Sequence, residues 1–538
     1  MTRPIPSLSH PKYRPDIDGL RAVAVLSVVA FHAFPARING GFIGVDVFFV
    51  ISGFLITSII YESLNRGTFS FAEFYSRRIR RIFPTLSIVL VASYALGWFV
   101  LLADEYEQLG KHIAAGAGFV SNYVLWAEAG YFDNSGETKP LLHLWSLGIE
   151  EQFYIVWPLI LWTAWRGRIH LLAVTILIAS VSFYLNLEGV REDATAAFYS
   201  PQTRFWELLA GGMLAWFVVY KQDSFASYRL KIDVWIAKLF FLKAVEPRGA
   251  ISSNLASLLG SLLLVFGFSQ ITKDVSFPGG WAAIPVLAAV LIILAGPEAW
   301  INRNILSNKV AVWFGLISFP LYLWHWPLLS FLRIVEGEDV GRGLRVAVLA
   351  LSVVLAWLTY KLIDGPVRSG KYVSVNVWVL IGLMAIIGFF GYRTYMKYSE
   401  DAFCQNRGFD DVPVKRKGFQ HGIGCSLAWY RGKNDWLFLG NAYDNNVAKL
   451  KLSDFPSGNE IDAVKNSFSK ISEAGARYGV ETALIVGPNK SSVYPENLPE
   501  VLTPSGLRYS DFFLESLRKI PSLKVYDPTA DLIGAKKA

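Results

Sequence analysis

The stretch Arg21–Phe34, RAVAVLSVVAFHAF, decides how the chain must be read. It is an apolar run that opens on an arginine and carries a histidine eleven residues later. On an α-helix eleven residues return the chain to within about 20° of its starting direction, so Arg21 and His32 share one face, about 16 Å apart along the axis. Two polar groups on one stripe of an apolar helix point inward, to partners or to a cavity, rather than to lipid. Asp18, one turn before Arg21, can orient the guanidinium or simply cap the helix. Arg21 itself can be a topogenic charge at a helix end, and His32 a helix–helix hydrogen-bonding group.

The rest of the chain supports a membrane reading. Of 538 residues 53% are hydrophobic and only 17% are charged, and mean hydropathy is +0.37. That balance excludes an ordinary soluble protein of this length and makes the net charge of +8 a matter of cytoplasmic loops rather than of nucleic acid. Eleven spans are expected, near 19–35, 41–61, 84–103, 147–165, 169–187, 203–220, 252–271, 281–296, 309–333, 344–363 and 375–396. With the N-terminus in the cytoplasm, the basic loops fall inside: Arg77, Arg78, Arg80 and Arg81 after the second span, the insert at 221–250, and Arg368 with Lys371. An odd number of spans then sends the C-terminus outside. The polar N-terminal segment has no cleavage pattern, so the first apolar run is expected to remain as an anchor. The insert from Tyr228 to Arg248 reads either as an interfacial helix or as a loose loop.

Cys404 and Cys425 are the two cysteines, both beyond the apolar region. They rule out a cysteine acyl-enzyme inside the membrane and can form a disulfide in an oxidising compartment. From 397 onward the composition changes. Strands are expected at 435–440, 482–488 and 523–528, with a helix over 460–479, which together suggest a small α/β domain.

Further polar groups interrupt the apolar runs. Asp46 sits alone in GGFIGVDVFFVISGFLIT (40–57), where Ser52 and Gly53 read as close-packing residues. His143, Ser146 and Glu150 lie in LLHLWSLGIEEQFY (141–154), with His143 and Glu150 on one face. Arg204 and Glu207 are spaced for an intrahelical ion pair, and His325 lies between two tryptophans in LYLWHWPLL (321–329).

Taken with YRPDIDGLRAVAVLSVVAFHAF (13–34), FYSRRIRRIFP (74–84) and RFWELLAGG (204–212), these runs resemble the signature segments of acyltransferase family 3 membrane proteins over about 10–370. The resemblance implies a polytopic α-helical core of ten helices, an eleventh linking helix over 371–400, and an extracytoplasmic domain over 401–538. It implies transfer of an acyl group, commonly acetyl, from cytoplasmic acetyl-CoA to a glycan such as lipopolysaccharide O-antigen, exopolysaccharide or peptidoglycan. The protein would then be a multi-pass protein of the bacterial inner (plasma) membrane, with membrane lipid, acyl-CoA and the glycan acceptor as its partners. On this reading Arg21, Arg77, Arg78, Arg81 and Arg204 hold the CoA phosphates. His32 is the general base or carries the acyl group. Asp18, Asp46 or Glu150 orient it or share its proton; His143, Glu150 and His325 face the outer vestibule or the core, and Ser146 and Glu207 are further candidates.

The segment beyond 401 is similar to SGNH-like domains of alginate-type O-acetyltransferases in GKNDWLFLGN (432–441) and GPNKSSVYPENLP (487–499). It shows no Gly-Asp-Ser block and no Asp-x-His-Trp segment, and His421 precedes the matched motifs, so a partial SGNH-like domain is expected. The rival function is a membrane transporter of a lipid-linked sugar or small anion, which would be expected to show inverted repeats that are not found in the sequence. A non-enzymatic helical scaffold is the third reading.

Overall fold

The structure is a computed structural model that describes residues 13–129, 136–239, 250–272, 275–337, 340–368, 377–398, 429–431, 433, 436–439, 449–450, 455–498, 502 and 504–537. Cys404, Cys425 and His421 lie outside the described residues. The chain divides into two compact units: Met1–Tyr94 with His112–Gly391, and Ala95–Lys111 with Tyr392–Ala538.

The helices are, in order, α1 (Pro15–Ala33), α2 (Gly44–Asn65), α3 (Phe71–Val100), α4 (Ala103–Ala117), α5 (Ser121–Glu128), α6 (Leu144–Arg166), α7 (Leu171–Glu192), α8 (Ala194–Tyr199), α9 (Pro201–Tyr220), α10 (Gln222–Leu239), α11 (Ala250–Gln270), α12 (Ala283–Ala295), α13 (Lys309–Leu316), α14 (Ser318–Glu336), α15 (Arg342–Thr359), α16 (Gly365–Arg368) and α17 (Val377–Tyr398). Among the described residues, six helices are long and apolar enough to cross a membrane, and a bent pair raises this to seven. Helices α1, α6 and α9 carry the very polar groups that the sequence singles out, and these lower their apolarity: Arg21 and His32, Glu150 and Glu151, Arg204 and Glu207.

Two expectations of the sequence are corrected. The span at 309–333 is broken: α13 and α14 meet at 65°. Pro320 has no amide to bond the Leu316 carbonyl, so the helix turns there. The arginines 77–81 are not in a loop, because α3 starts at Phe71 and runs through Pro84. Its start is fixed by Ser70, whose hydroxyl accepts from the Glu73 amide at 3.4 Å. The insert after Lys221 is likewise a helix over Gln222–Leu239. Its buried Asp233 accepts from the amides of Ile251 and Ser252 at the start of α11, while Tyr228 and Trp235 are each 64% exposed.

Helix α2 is the central element: 78% of its apolar window is buried, against 17% for the span that begins with α15. It packs on α9 at backbone contact. A Cβ on Gly53 would lie 1.8 Å from the Leu208 carbonyl oxygen, and one on Gly211 would lie 2.1 Å from that of Val50. Helix α1 meets α13 in the same way, Gly315 against the Asp18 carbonyl. Small residues at such crossings are what lets helices associate where lipid is as apolar as the side chains.

In the second unit, β1 (Trp429–Arg431) pairs antiparallel with β2 (Leu437–Leu439). Helix α18 (Gly458–Arg477) opens on a capping box made by Ser457 and Glu460. β3 (Thr482–Ile485) runs parallel to β4 (Leu523–Tyr526), with α19 (Lys490–Val493) and α20 (Tyr509–Leu517) between them, and α21 (Thr529–Lys537) follows. Val464, Phe468, Leu484, Phe513, Leu517 and Val525 form the core between helices and strands. Arg508 ties the two ends of this region by bonding Asp511 and Asp527, both at 2.5 Å. The Arg508 guanidinium bonded to it holds the Asp527 carboxyl well below the usual carboxylate range.

Gly211→Val is expected to destabilise the protein by about 1–3 kcal/mol through overpacking at the α2–α9 crossing. Thermal unfolding of the solubilised protein measures this. An unchanged midpoint would show that the crossing can relax.

Candidate functional site

Among the described residues of the helical unit, two neighbouring chambers hold the polar groups of interest. The first is lined by Arg21, Arg78, Arg81, Ser52, Glu150 and Tyr154, among others. The second is lined by His32, His143, Asp46, Arg204, Trp326 and Arg333, among others. Val45 of α2 and Tyr322 of α14 belong to the walls of both. Helix α1 runs past both, with Arg21 on one and His32 on the other. Helix α6 does the same in the opposite sense, with Glu150 on the first chamber and His143 on the second.

In the arginine chamber, Arg21 lies 3.5 Å from Asp18, and Asp18 also accepts from the Tyr13 hydroxyl at 2.7 Å. Asp18 therefore orients Arg21 and makes no contact with His32. Arg78 lies over the Tyr154 ring at 6.0 Å. Arg77 does not join the group: it pairs with Glu73 one turn back and is 43% exposed. Glu150 accepts from Ser52 at 3.1 Å and from Tyr154 at 3.3 Å. Ser52 is thus a polar wall residue, whereas its neighbour Gly53 is the packing residue. Glu150 belongs to this chamber rather than beside His32.

In the histidine chamber, His32 Nδ1 lies 2.9 Å from His325 Nε2, with the two ring planes 8° apart. The edge of Trp326 meets the His32 ring at 4.4 Å between centroids. The His143 ring stands 6.0 Å from that of His325 and 5.4 Å from that of Tyr322. The Tyr322 hydroxyl donates to the His143 carbonyl at 2.8 Å and lies 2.6 Å from the Ser146 hydroxyl. His32 is held from its backbone as well. Arg333 donates to the His32 carbonyl at 2.6 Å and Arg345 to that of Ala33 at 3.2 Å. Two arginines at the C-terminal end of α1 thus satisfy its last carbonyls and suit its dipole.

Arg204 is placed differently from the arginines it was expected to accompany. It is fully buried on the wall of the histidine chamber, 2.8 Å from Asp46 and 2.7 Å from Glu207. The rings of Phe49, Trp145, Phe198 and Phe277 surround its guanidinium at 5.5–5.6 Å. Its Nη2 donates to Asp46 at 2.8 Å and to Glu207 at 3.1 Å, and Asp46 in turn bonds Arg204 rather than His32. The triad ties α2 to α9 next to the Gly53 and Gly211 crossing, so its first role is to hold that wall.

Several residues escape a reading of the sequence. Tyr322 lies one turn before His325 on the same face, and only the chamber geometry shows that it separates two cavities. Arg333 is legible only once α14 is known to pass the end of α1. Glu128 receives Lys139 at 3.0 Å and His112 at 2.8 Å in a buried cluster, and the Lys139 carbonyl accepts from the Trp326 indole at 2.8 Å. That cluster fixes the ring that flanks His32, and its three members are too far apart in sequence to be paired by spacing.

A family model described as an acyltransferase domain matches residues 14–361. Among curated proteins, the chain is similar to "Putative peptidoglycan O-acetyltransferase YrhL" of Bacillus subtilis (strain 168), 35% identical over 383 residues, which is 69% of this chain and 57% of that protein. It is similar to "Putative O-acetyltransferase SAS0844" of Staphylococcus aureus (strain MSSA476), 31% identical over 375 residues, 68% of this chain and 59% of that one. It is also similar to "Peptidoglycan O-acetyltransferase OatA" of Listeria monocytogenes serovar 1/2a, 29% identical over 374 residues, 68% and 57%. The match therefore spans less than three-fifths of each relative's length. No solved structure matches the chain.

Asp46→Ala leaves Arg204 short of a partner and is expected to cost about 3–5 kcal/mol of stability, as breaking a buried ion pair does. A double-mutant cycle with Arg204→Met, read by thermal unfolding, checks it. Additive losses would show that the pair contributes nothing jointly.

Proposed function

This chain belongs to the acyltransferase family whose model it matches over 14–361, and on that premise we propose that it moves an acetyl group from acetyl-CoA to a hydroxyl of a cell-surface glycan. The names of the relatives favour peptidoglycan as that glycan. The family reading also carries the eleven-span topology: N-terminus in the cytoplasm, protein in the bacterial plasma membrane, C-terminal unit outside as an SGNH-like domain. Under the positive-inside rule the arginine chamber then opens toward the cytoplasm, where acetyl-CoA is found.

The observation that carries the proposal is the division of labour along α1. Arg21 lies on a chamber with two further arginines, Arg78 and Arg81, and His32 lies on the next chamber, behind Val45 and Tyr322. Guanidinium groups suit phosphate through paired hydrogen bonds. Acetyl-CoA carries its phosphates at one end and its thioester at the tip of a long flexible arm. The phosphates bind Arg21, Arg78 and Arg81, and the arm passes between Val45 and Tyr322 to present the thioester to His32. An acceptor hydroxyl in the histidine chamber loses its proton to His32 as its oxygen attacks the thioester carbonyl. The new C–O bond forms, the C–S bond breaks, and His32 returns the proton to the departing sulfur to give free CoA. The Asp46–Arg204–Glu207 wall positions this chamber and takes no proton in the scheme.

Release of the CoA thiol in membranes holding the full chain and supplied with a glycan acceptor tests the proposal. His32→Ala is expected to lower the rate by about 10²–10⁴-fold, the usual share of a general base. Val45→Trp, which fills the passage without touching either group, is expected to stop turnover while acetyl-CoA still binds. Wild-type rates in both variants would overturn the scheme.

A further inference from the structure

His32, on the second chamber, and His325, buried behind it, form a pair with a direction. His325 is fully buried, and its Nδ1 lies 3.1 Å from the carbonyl oxygen of Leu321, one turn earlier in α14. A carbonyl oxygen only accepts, so His325 Nδ1 must carry the proton of that bond. In a neutral imidazole the other nitrogen, Nε2, is then the acceptor. That Nε2 faces His32 Nδ1 at 2.9 Å. His32 must therefore donate from Nδ1, which places its own lone pair on Nε2.

We propose that His325 is a positioning residue that sets the tautomer of His32 through the Leu321 carbonyl, so that His32 offers Nε2 as its basic atom. The proposal deepens the general-base reading of His32 and rests on it for its consequence in turnover. The tautomer itself stands independently of that reading. The geometry around the pair suits the task. Near-coplanar rings give a straight Nδ1–H···Nε2 bond. Trp326 closes one side of His32, and Arg333 holds its carbonyl. The ring can then neither tilt nor slide to exchange its nitrogens. A base held in the wrong tautomer presents a hydrogen where it needs a lone pair, a costly fault in histidine catalysis.

Two substitutions separate the two ends of His325. Glutamine places its amide oxygen where Nε2 lies and keeps an acceptor for His32. Asparagine places its amide where Nδ1 lies, keeps the bond to Leu321, and does not reach His32. The experiment is ¹⁵N NMR of the solubilised full chain labelled at histidine, with the His32 signals assigned by their loss in His32→Gln. The wild type should show His32 protonated at Nδ1. His325→Gln should keep that state, and His325→Asn should move His32 toward Nε2–H. In CoA release, His325→Asn should lower kcat by about 10²-fold or more with KM for acetyl-CoA unchanged, and His325→Gln should stay within about tenfold of wild type.

A wild-type His32 protonated at Nε2 would overturn the inference without any variant, even if the substituted proteins fail to fold. An unchanged His32 tautomer in folded His325→Asn would also overturn it. If the tautomer moves as expected while kcat does not, the positioning is upheld and the base role of His32 falls.

Discussion

An apolar helical interior tolerates a polar side chain only if that group is paired or lines a cavity. The arrangement of this protein follows from that constraint. Arg204 is fully buried, and two carboxylates and four aromatic rings close around it. Its partners come from α2 and α9, the two helices that also meet at bare backbone through Gly53 and Gly211. Close packing and charge pairing therefore lock the same crossing. With that crossing fixed, α2 presents Asp46 to the wall, Val45 to both chambers and Ser52 to the arginine chamber.

The polar groups left over are those on the chambers. Arg21, Arg78 and Arg81 line one, and His32 and His143 line the other with Arg333. Tyr322 stands between, its hydroxyl engaged by Ser146 and the His143 carbonyl. Those bonds hold the ring in the wall that the two chambers share. A donor with anionic groups at one end and a reactive group at the other suits such a division, because each end meets a different environment.

Much of this was legible from residues 21 to 34 alone, since helical geometry puts Arg21 and His32 on one stripe whatever surrounds them. The same periodicity relates His143 to Glu150 and Arg204 to Glu207. What the sequence could not supply was partnership between distant segments. Asp46 reads as a helper of His32 until Arg204, 158 residues later, is seen to bond it. Arg77 and Arg78 are adjacent and look equivalent, yet helix α3 turns one to Glu73 and the other to the chamber. His325 reads as a core or interfacial residue because only the fold brings it to His32. The strands at 482–485 and 523–526 were legible from their β-branched and aromatic runs, whereas their parallel pairing depends on contacts across the whole unit.

The central claim is that one donor occupies both chambers at once. An experimental structure with an unreactive thioether analogue of acetyl-CoA tests it most directly. The phosphates are expected among Arg21, Arg78 and Arg81, with the acyl end beyond Val45 and Tyr322 beside His32. A ligand lying wholly on the arginine side, or bound away from both chambers, would contradict it.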